Sequence, residues 1–433
     1  KMENIPDNIP LYETDMFKNM ISGLLGRAPA GLNASFRTSQ IYFGINSINQ
    51  MGELIRTRIS NREERRALII TDDFTKKYAN LVLEPLKAIN AESRVWSGVE
   101  PEGPLYTIEA AVEVCNEFKP SVFIAIGGGS VMDSAKAIMI KYEHPETNLF
   151  RISPFGPLGL RKKVKCLIAI PTTSGTGSEA TSAAMLTDVA RDPPKKLAIA
   201  HGEILPDIAI LHTDFVKEMP PFLTMATGLD ALAHAAGAYV SSWGSPFTDA
   251  LNIGAIKEIL KYLPRVYKYG TKDLEARLRM QIATTMAGLG FGNARVGLDH
   301  GLGHSLGKVF QLHHGFCVGL FLPYTVAYMA KISERWKGLC PIFGVKEEDK
   351  ENKVLLTELL QAIKDFIHSM DGAVCIKEIK QPTITKEEYM DKMELLIRYA
   401  ETDAVDLLAP RYMTKELYRK IFEYAWDGRD IDF

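Results

Sequence analysis

The stretch Ile124–Ile138, IAIGGGSVMDSAKAI, decides how the N-terminal half of this chain folds. A short β-branched run ends in three consecutive glycines, and a segment with helical spacing starts near Ser130. Glycine lets backbone approach a ligand closely, and a helix N-terminus presents unpaired N–H groups at the positive end of a dipole. Gly128, Gly129 and Ser130 are therefore candidate pyrophosphate contacts, against the plainer reading of a tight turn. The usual G-x-G-x-x-G fingerprint is absent, so the pattern describes a different variant of nucleotide binding. Pro171–Thr181, PTTSGTGSEAT, repeats the theme after the next apolar run. There Thr172, Thr173, Ser174 and Thr176 bring hydroxyls that can hydrogen-bond a nucleotide, or cap a plain turn.

Working outward, ALIITDD (Ala67–Asp73), CLIAI (Cys166–Ile170) and the run within Ile204–Phe215 read as strands, and TIEAAVEVCNEF (Thr107–Phe118) as a helix. Strand–helix alternation implies a parallel sheet covered on both faces, with ligands at the C-terminal ends of its strands. Asp72 stands at the end of ALIITD in the first of these runs. A carboxylate there can accept hydrogen bonds from a ribose 2′-OH and repels a 2′-phosphate, which favours NAD over NADP; capping of the following turn explains an Asp equally well.

From Pro221 the strand signals vanish. Leu251–Tyr267, Leu274–Phe291 and Lys353–Met370 each carry apolar positions at helical spacing. A single core stops growing near ~250–300 residues, so 433 residues imply two domains. The expected division is an N-terminal extension (1–37) containing a short amphipathic helix in MFKNMISGLL (Met16–Leu25), an α/β dinucleotide-binding domain with a parallel, Rossmann-like sheet (38–213), and an all-α metal-binding domain (214–433).

The second half holds the other chemical signal. In Thr227–Ser241, TGLDALAHAAGAYVS, Asp230 and His234 stand one helical turn apart on one face. In Gly297–Gly315, GLDHGLGHSLGKVFQLHHG, His300 and His304 repeat that spacing and His314 lies beyond the helix end. Single histidines in such a pattern are ordinarily core or surface residues. Here four of the chain's nine histidines fall within fifteen glycine-rich residues. One carboxylate with imidazoles and no thiolate suits Fe²⁺ or Zn²⁺ in an open site rather than a closed structural zinc site.

Composition narrows the alternatives. A net charge of −2 supplies no electrostatic reason to expect nucleic acid or an anionic membrane. The longest apolar stretch, Phe316–Ala330, is interrupted by Pro323 and too short to span a bilayer. Five scattered cysteines without C-x-x-C spacing, and an acidic N-terminus lacking an apolar signal core, read as a soluble cytoplasmic protein. A homodimer or larger homo-oligomer is the default assembly.

With these segments assembled, the chain resembles the iron-containing (group III) alcohol dehydrogenase family from about Thr38 to residue 425. The resemblance rests on GGGSVMDSAKAI, PTTSGTGSE, TGLDALAHA and the H-G-x-x-H-x-L-G to H-H-G segment, in family order. It implies a metal-dependent, NAD(P)(H)-linked alcohol dehydrogenase or aldehyde reductase acting on a small alcohol or aldehyde. Carried over, Asp230, His234, His300 and His314 are the metal ligands, and His304 faces nicotinamide and substrate without ligating. Asp133 lies close to the site, Gly128, Gly129 and Ser130 hold pyrophosphate, Thr172 and Thr173 contact the cofactor, Lys196 lies on the nicotinamide side, and Asp72 prefers NAD. His304 is the expected proton relay, since imidazole titrates in the useful range.

Some positions depart from the family. Gly237 stands where a Glu is frequent, VEPEGPLYT lacks the usual P-N-P, and His313 and Cys317 are unusual. Residues around Gly237, Phe291 and Phe316 imply a mainly apolar substrate lining. Two other functions compete: a dehydroquinate-synthase-like lyase that recycles NAD, which would need a basic pocket not evident in the motifs, and a redox-silent nucleotide-binding or assembly protein.

Overall fold

The structure, a computed structural model, describes residues 35–191, 194–241, 243–403, 411 and 413–433. The expected helix at Met16–Leu25 lies outside them. The described residues cluster into two compact units, Arg37–Glu218 and Met219–Phe433.

In the first unit the strands are β1 (Gln40–Phe43), β2 (Arg66–Asp72), β3 (Glu92–Val99), β4 (Val122–Gly127), β5 (Cys166–Pro171), β6 (Ala183–Asp188), β7 (Lys195–Ala200) and β8 (Ile208–Leu211). Six of them form one sheet in the order β1-β8-β5-β4-β2-β3. Every pairing in it is parallel. Helices α1 (Met51–Arg58), α2 (Asn80–Ala88), α3 (Leu105–Phe118) and α4 (Gly129–Glu143) accompany the sheet. β4 and β5 are buried at every position, because a covered parallel sheet has no wet face. Phe123 and Ala125 of β4 join a core with Cys115, Phe118 and Ile138 of α3 and α4. Val122, Ile124 and Ile126 face the opposite core, with Ile55, Val82 and Leu86 of α1 and α2. The period of two along the strand thus feeds two cores at once.

β6 and β7 form an antiparallel pair outside this sheet, with Thr187 opposite Lys196. The sequence reading contained no such hairpin: both runs are short, and KKLAI carries only a weak strand signal.

The regular elements among the second unit's described residues are all helices: α5 (Pro221–Val240), α6 (Pro246–Tyr269), α7 (Leu274–Ala294), α8 (Leu298–Phe310), α9 (His314–Met329), α10 (Asn352–His368), α11 (Lys386–Asp391), α12 (Met393–Glu401) and α13 (Lys415–Asp427), with 3₁₀ turns between some of them. α5 is buried almost continuously from Thr224 to Ala238. It can be central because it is built of small residues, so α6, α7 and α9 approach its backbone. The apolar stretch Phe316–Ala330 lies largely in α9, a core helix that carries Pro323 in its interior. No helix among the described residues is long and apolar enough to cross a membrane.

Candidate functional site

In the second unit α5 delivers Asp230 and His234, α8 delivers His300 and His304, and His314 is the first residue of α9. Glycine sets how closely these helices meet. A Cβ on Gly315 would press against the Ala226 carbonyl and lie 2.8 Å from Asp230 Cβ, and one on Gly303 would lie 2.6 Å from Val318 Cγ2. Only a bare backbone lets the start of α9 rest on α5.

Around Asp230 Oδ1 stand His314 Nε2 at 3.3 Å, His300 Nε2 at 3.7 Å and His234 Nδ1 at 4.0 Å. Two ligand atoms about 2.1 Å from one tetrahedral ion are separated by about 3.4 Å, so this spacing matches a shared cation. Asp230 Oδ1, His234 Nδ1 and His300 Nε2 are buried and have no hydrogen-bond partner. Orphaned buried polar atoms are costly. Here they converge within 4.8 Å of one another, a spacing that fits donor atoms sharing one cation.

The electrostatics agree with that chemistry. Burial, aided by repulsion from neighbouring imidazoles and opposed by Asp230, pushes His234 and His300 down to about 3. Both are neutral at pH 7, with lone pairs available. Burial disfavours the Asp230 carboxylate, but His234, His314 and His300 outweigh it and hold the group below the usual carboxylate range. One anion and neutral imidazoles are a donor set for Fe²⁺ or Zn²⁺.

Supporting contacts fix these rings. His234 is stacked between Phe291, at 4.0 Å between ring centroids, and His300, at 4.4 Å. His300 Nδ1 meets Asp299 Oδ1 at 2.6 Å, and Thr325 donates to the other Asp299 oxygen at 3.3 Å. Burial pushes Asp299 up to about 7. A carboxylate behind a ligating histidine orients the ring and raises its basicity. His304 does not join the cluster by a donor atom. Its ring stacks on His314 at 4.8 Å, and its Nδ1 meets Asp403 Oδ2 at 2.8 Å. Asp299 sits inside a quoted motif and could have been found as the neighbour of His300. Asp403 lies 99 residues from its partner, with no local signal.

The departures have structural consequences. Gly237 meets Gly297 backbone: a Cβ there would lie 2.9 Å from Gly297 N and 3.2 Å from Asp299 Oδ2. This packing has no room for a glutamate. His313 caps the start of α9 with its Nδ1 buried and unpartnered, its ring edge-on to Phe222, while Cys317 is fully buried. Phe316 also packs on Phe222, whereas Phe291 backs His234.

In the first unit, the loops after β4 and β5 leave adjacent strand ends, with Gly127 opposite Pro171. The Thr172 amide donates to Gly127 O at 3.0 Å. A Cβ on Gly129 would lie 2.9 Å from Thr176 Cγ2, and one on Gly128 would touch Thr173. No side chain caps α4 at Gly128. The result is a backbone cradle with an uncapped helix N-terminus, which suits a pyrophosphate. Ser174 Oγ is buried and unpartnered, while Thr176 Oγ1 accepts from the Ser178 amide at 3.3 Å.

Asp72 Oδ1 accepts from the Phe74 amide (2.9 Å), the Thr75 amide (2.7 Å) and Thr75 Oγ1 (2.8 Å). It caps its own turn, and the same bonds hold the carboxylate rigidly at the strand end. Ser130 Oγ accepts from the Glu102 amide at 3.1 Å, and Lys196 Nζ lies 3.4 Å from Glu102 Oε2. The departing VEPEGPLYT loop thus touches two expected cofactor residues, with Glu102 at φ +64°.

Asp133, expected close to the site, has anchoring partners. Its Oδ1 accepts from Ser178 Oγ at 2.5 Å and Lys136 Nζ at 3.3 Å, and its Oδ2 from the Met185 amide at 2.9 Å. Lys136, fully buried, also donates to Ser178 O at 2.9 Å and Ala183 O at 2.6 Å. Burial lowers the Lys136 pKa against the pull of Asp133. This pair ties α4 to the loop after β5 and to β6.

A backbone cradle suited to pyrophosphate in one unit and a converging carboxylate–imidazole cluster in the other have the chemistry of a nicotinamide-linked, metal-dependent oxidoreductase. The chain matches the iron-containing alcohol dehydrogenase family model over residues 38–213 and the family's C-terminal model over residues 224–426. It belongs to the iron-containing alcohol dehydrogenase family. An NADPH-dependent butanol dehydrogenase of Clostridium saccharobutylicum is 35% identical over 398 residues, covering 91% of this chain and 98% of that protein. A bifunctional aldehyde-alcohol dehydrogenase of Escherichia coli K12 is 32% identical over 84% of this chain, which spans only 43% of that longer protein. Among solved structures, the iron-containing alcohol dehydrogenase of Thermococcus thioreducens superposes with a TM-score of 0.79 at 29% identity, covering 91% of this chain and all of that one. The protein is an NAD(P)-linked alcohol dehydrogenase of this family.

Proposed function

We propose that the chain interconverts a small primary or secondary alcohol and its aldehyde or ketone, with a divalent cation held by Asp230, His234, His300 and His314. The observation that carries this is the convergence of three buried, unpartnered donor atoms from Asp230, His234 and His300. Fe²⁺ is the favoured ion on family grounds, and the same donors accept Zn²⁺. When bound, the cation supplies Lewis acidity toward the substrate oxygen and the nicotinamide supplies the hydride chemistry.

The residues do the rest. Gly128, Gly129 and Ser130 bind pyrophosphate with backbone amides, and Thr172, Thr173, Ser174 and Thr176 line the adjoining turn. The rigidly held Asp72 carboxylate favours NAD over NADP, and Lys196 assists on the nicotinamide side. Asp133 serves by anchoring the loop that carries these hydroxyls. His304 passes the substrate proton, and Phe291 and the stacked imidazoles keep water from one side of the cluster. Butanol and methanol, named for two relatives, set the scale of substrate to try first. Five free, buried cysteines fit a reducing cytoplasm, and a homodimer is the assembly to test.

The test is anaerobic NADH oxidation with an aldehyde panel, on protein stripped of metal and reloaded with Fe²⁺ or Zn²⁺. Turnover restored by one of the ions is expected. Full turnover by metal-free protein would overturn the ligand assignment.

A further inference from the structure

His304 and Asp403 meet across a long stretch of chain, and the surroundings leave the pair little freedom. The two side chains are 13% and 8% exposed. His304 stacks on His314 with ring planes 26° apart, and His300 meets it edge-on at 6.0 Å between centroids. The neighbouring residue, Ser305, donates to Leu396 O in α12 at 2.7 Å. Asp403 follows α12, its amide donating to Ala400 O at 3.1 Å. α8 is therefore fastened at two successive residues, by Ser305 to α12 and by His304 to the segment just after it.

We infer that Asp403 is a positioning residue for the reaction. It takes the Nδ1–H of His304, fixes the ring in one orientation and one tautomer, and so leaves the lone pair on Nε2. A neutral imidazole carries one proton on two nitrogens, and the partner of one nitrogen decides which role the other plays. Without an acceptor at Nδ1 the ring is free to flip or to place its proton on Nε2, where it could no longer accept one from an alcohol. The inference rests on the reading that His304 handles the substrate proton, but its geometric half stands apart from it.

Two measurements test both halves. In Zn²⁺-loaded holoenzyme, side-chain ¹⁵N spectra should show His304 as the Nδ1–H tautomer, and Asp403→Asn should shift it toward a mixture or toward Nε2–H. Positioned proton transfer contributes roughly 10²–10⁴-fold. Asp403→Asn should therefore lower kcat for alcohol oxidation by about tenfold or more, with KM for alcohol and NAD within about twofold and metal content unchanged. Asp403→Glu, which keeps the carboxylate, should recover part of that loss. A kcat equal to that of the unmodified enzyme, or a loss that merely follows metal loss, would overturn the positioning role. An unchanged tautomer in Asp403→Asn would overturn it independently of turnover. If the unmodified holoenzyme oxidises no alcohol while its His304 shows the expected tautomer, the functional reading fails and the geometric one survives.

Discussion

Gly315→Ala puts one methyl group where α9 rests on α5. The new Cβ would press on the Ala226 carbonyl and lie 2.8 Å from Asp230 Cβ, whereas carbon atoms ordinarily approach to about 3.5–4.0 Å. Relief requires a displacement of about 0.7–1.2 Å. The Ala226 carbonyl belongs to a buried helix and cannot give way, so the start of α9 must move. Overpacking of this kind costs about 1–3 kcal/mol. At about 2–4 °C per kcal/mol for a unit of this size, Tm should fall by about 2–12 °C. The same shift moves His314, whose Nε2 lies 3.3 Å from Asp230 Oδ1. Metal ligands tolerate only about 0.2 Å of error, so metal affinity should fall as well. Whatever part of the strain is borne only by the bound state weakens binding instead, by about tenfold for each 1.4 kcal/mol. Chelator competition followed at equilibrium reads the affinity, and a thermal melt of the metal-free protein reads the packing cost alone. A variant that binds metal within twofold of the unmodified protein and melts at the same temperature would refute the view that glycine at this contact sets the fourth ligand.

Two further substitutions probe the first unit. Lys136→Met leaves the Asp133 carboxylate and the Ser178 and Ala183 carbonyls without their shared donor. Removing one partner of a buried pair costs about 3–5 kcal/mol, so a large drop in Tm with weakened NAD binding is expected; an unchanged melt by calorimetry would count against the anchor. Asp72→Asn removes the charge that should repel a 2′-phosphate, so the NADH-to-NADPH ratio of kcat/KM should fall by about tenfold, near 1.4 kcal/mol. A ratio that does not move would leave Asp72 as a turn cap only.

Much of the candidate site was legible because its chemistry is local. The spacing of Asp230 and His234, or of His300 and His304, becomes a shared helical face without any knowledge of the rest of the molecule. The glycine turn before α4 is likewise a property of consecutive residues. The β6–β7 pair escaped the reading because antiparallel pairing is a relation between segments. At Asp133 the sequence motif points toward the reacting centre, and the structure adds what the motif does not carry: Lys136, Ser178 and Met185 on its carboxylate.

The sequence by itself determined the two-part architecture, the parallel sheet, the donor types and their helical register, because period, turn chemistry and residue identity are written in short windows. Tertiary structure alone decided which atoms converge. Gly315 against Ala226, Gly237 against Gly297, Asp299 behind His300 and Asp403 behind His304 depend on helices packing at close range. The donor atoms of Asp230, His234 and His300 were left unpartnered by the same packing. A lone pair becomes a ligand only when burial removes water and neighbouring helices bring its companions within reach.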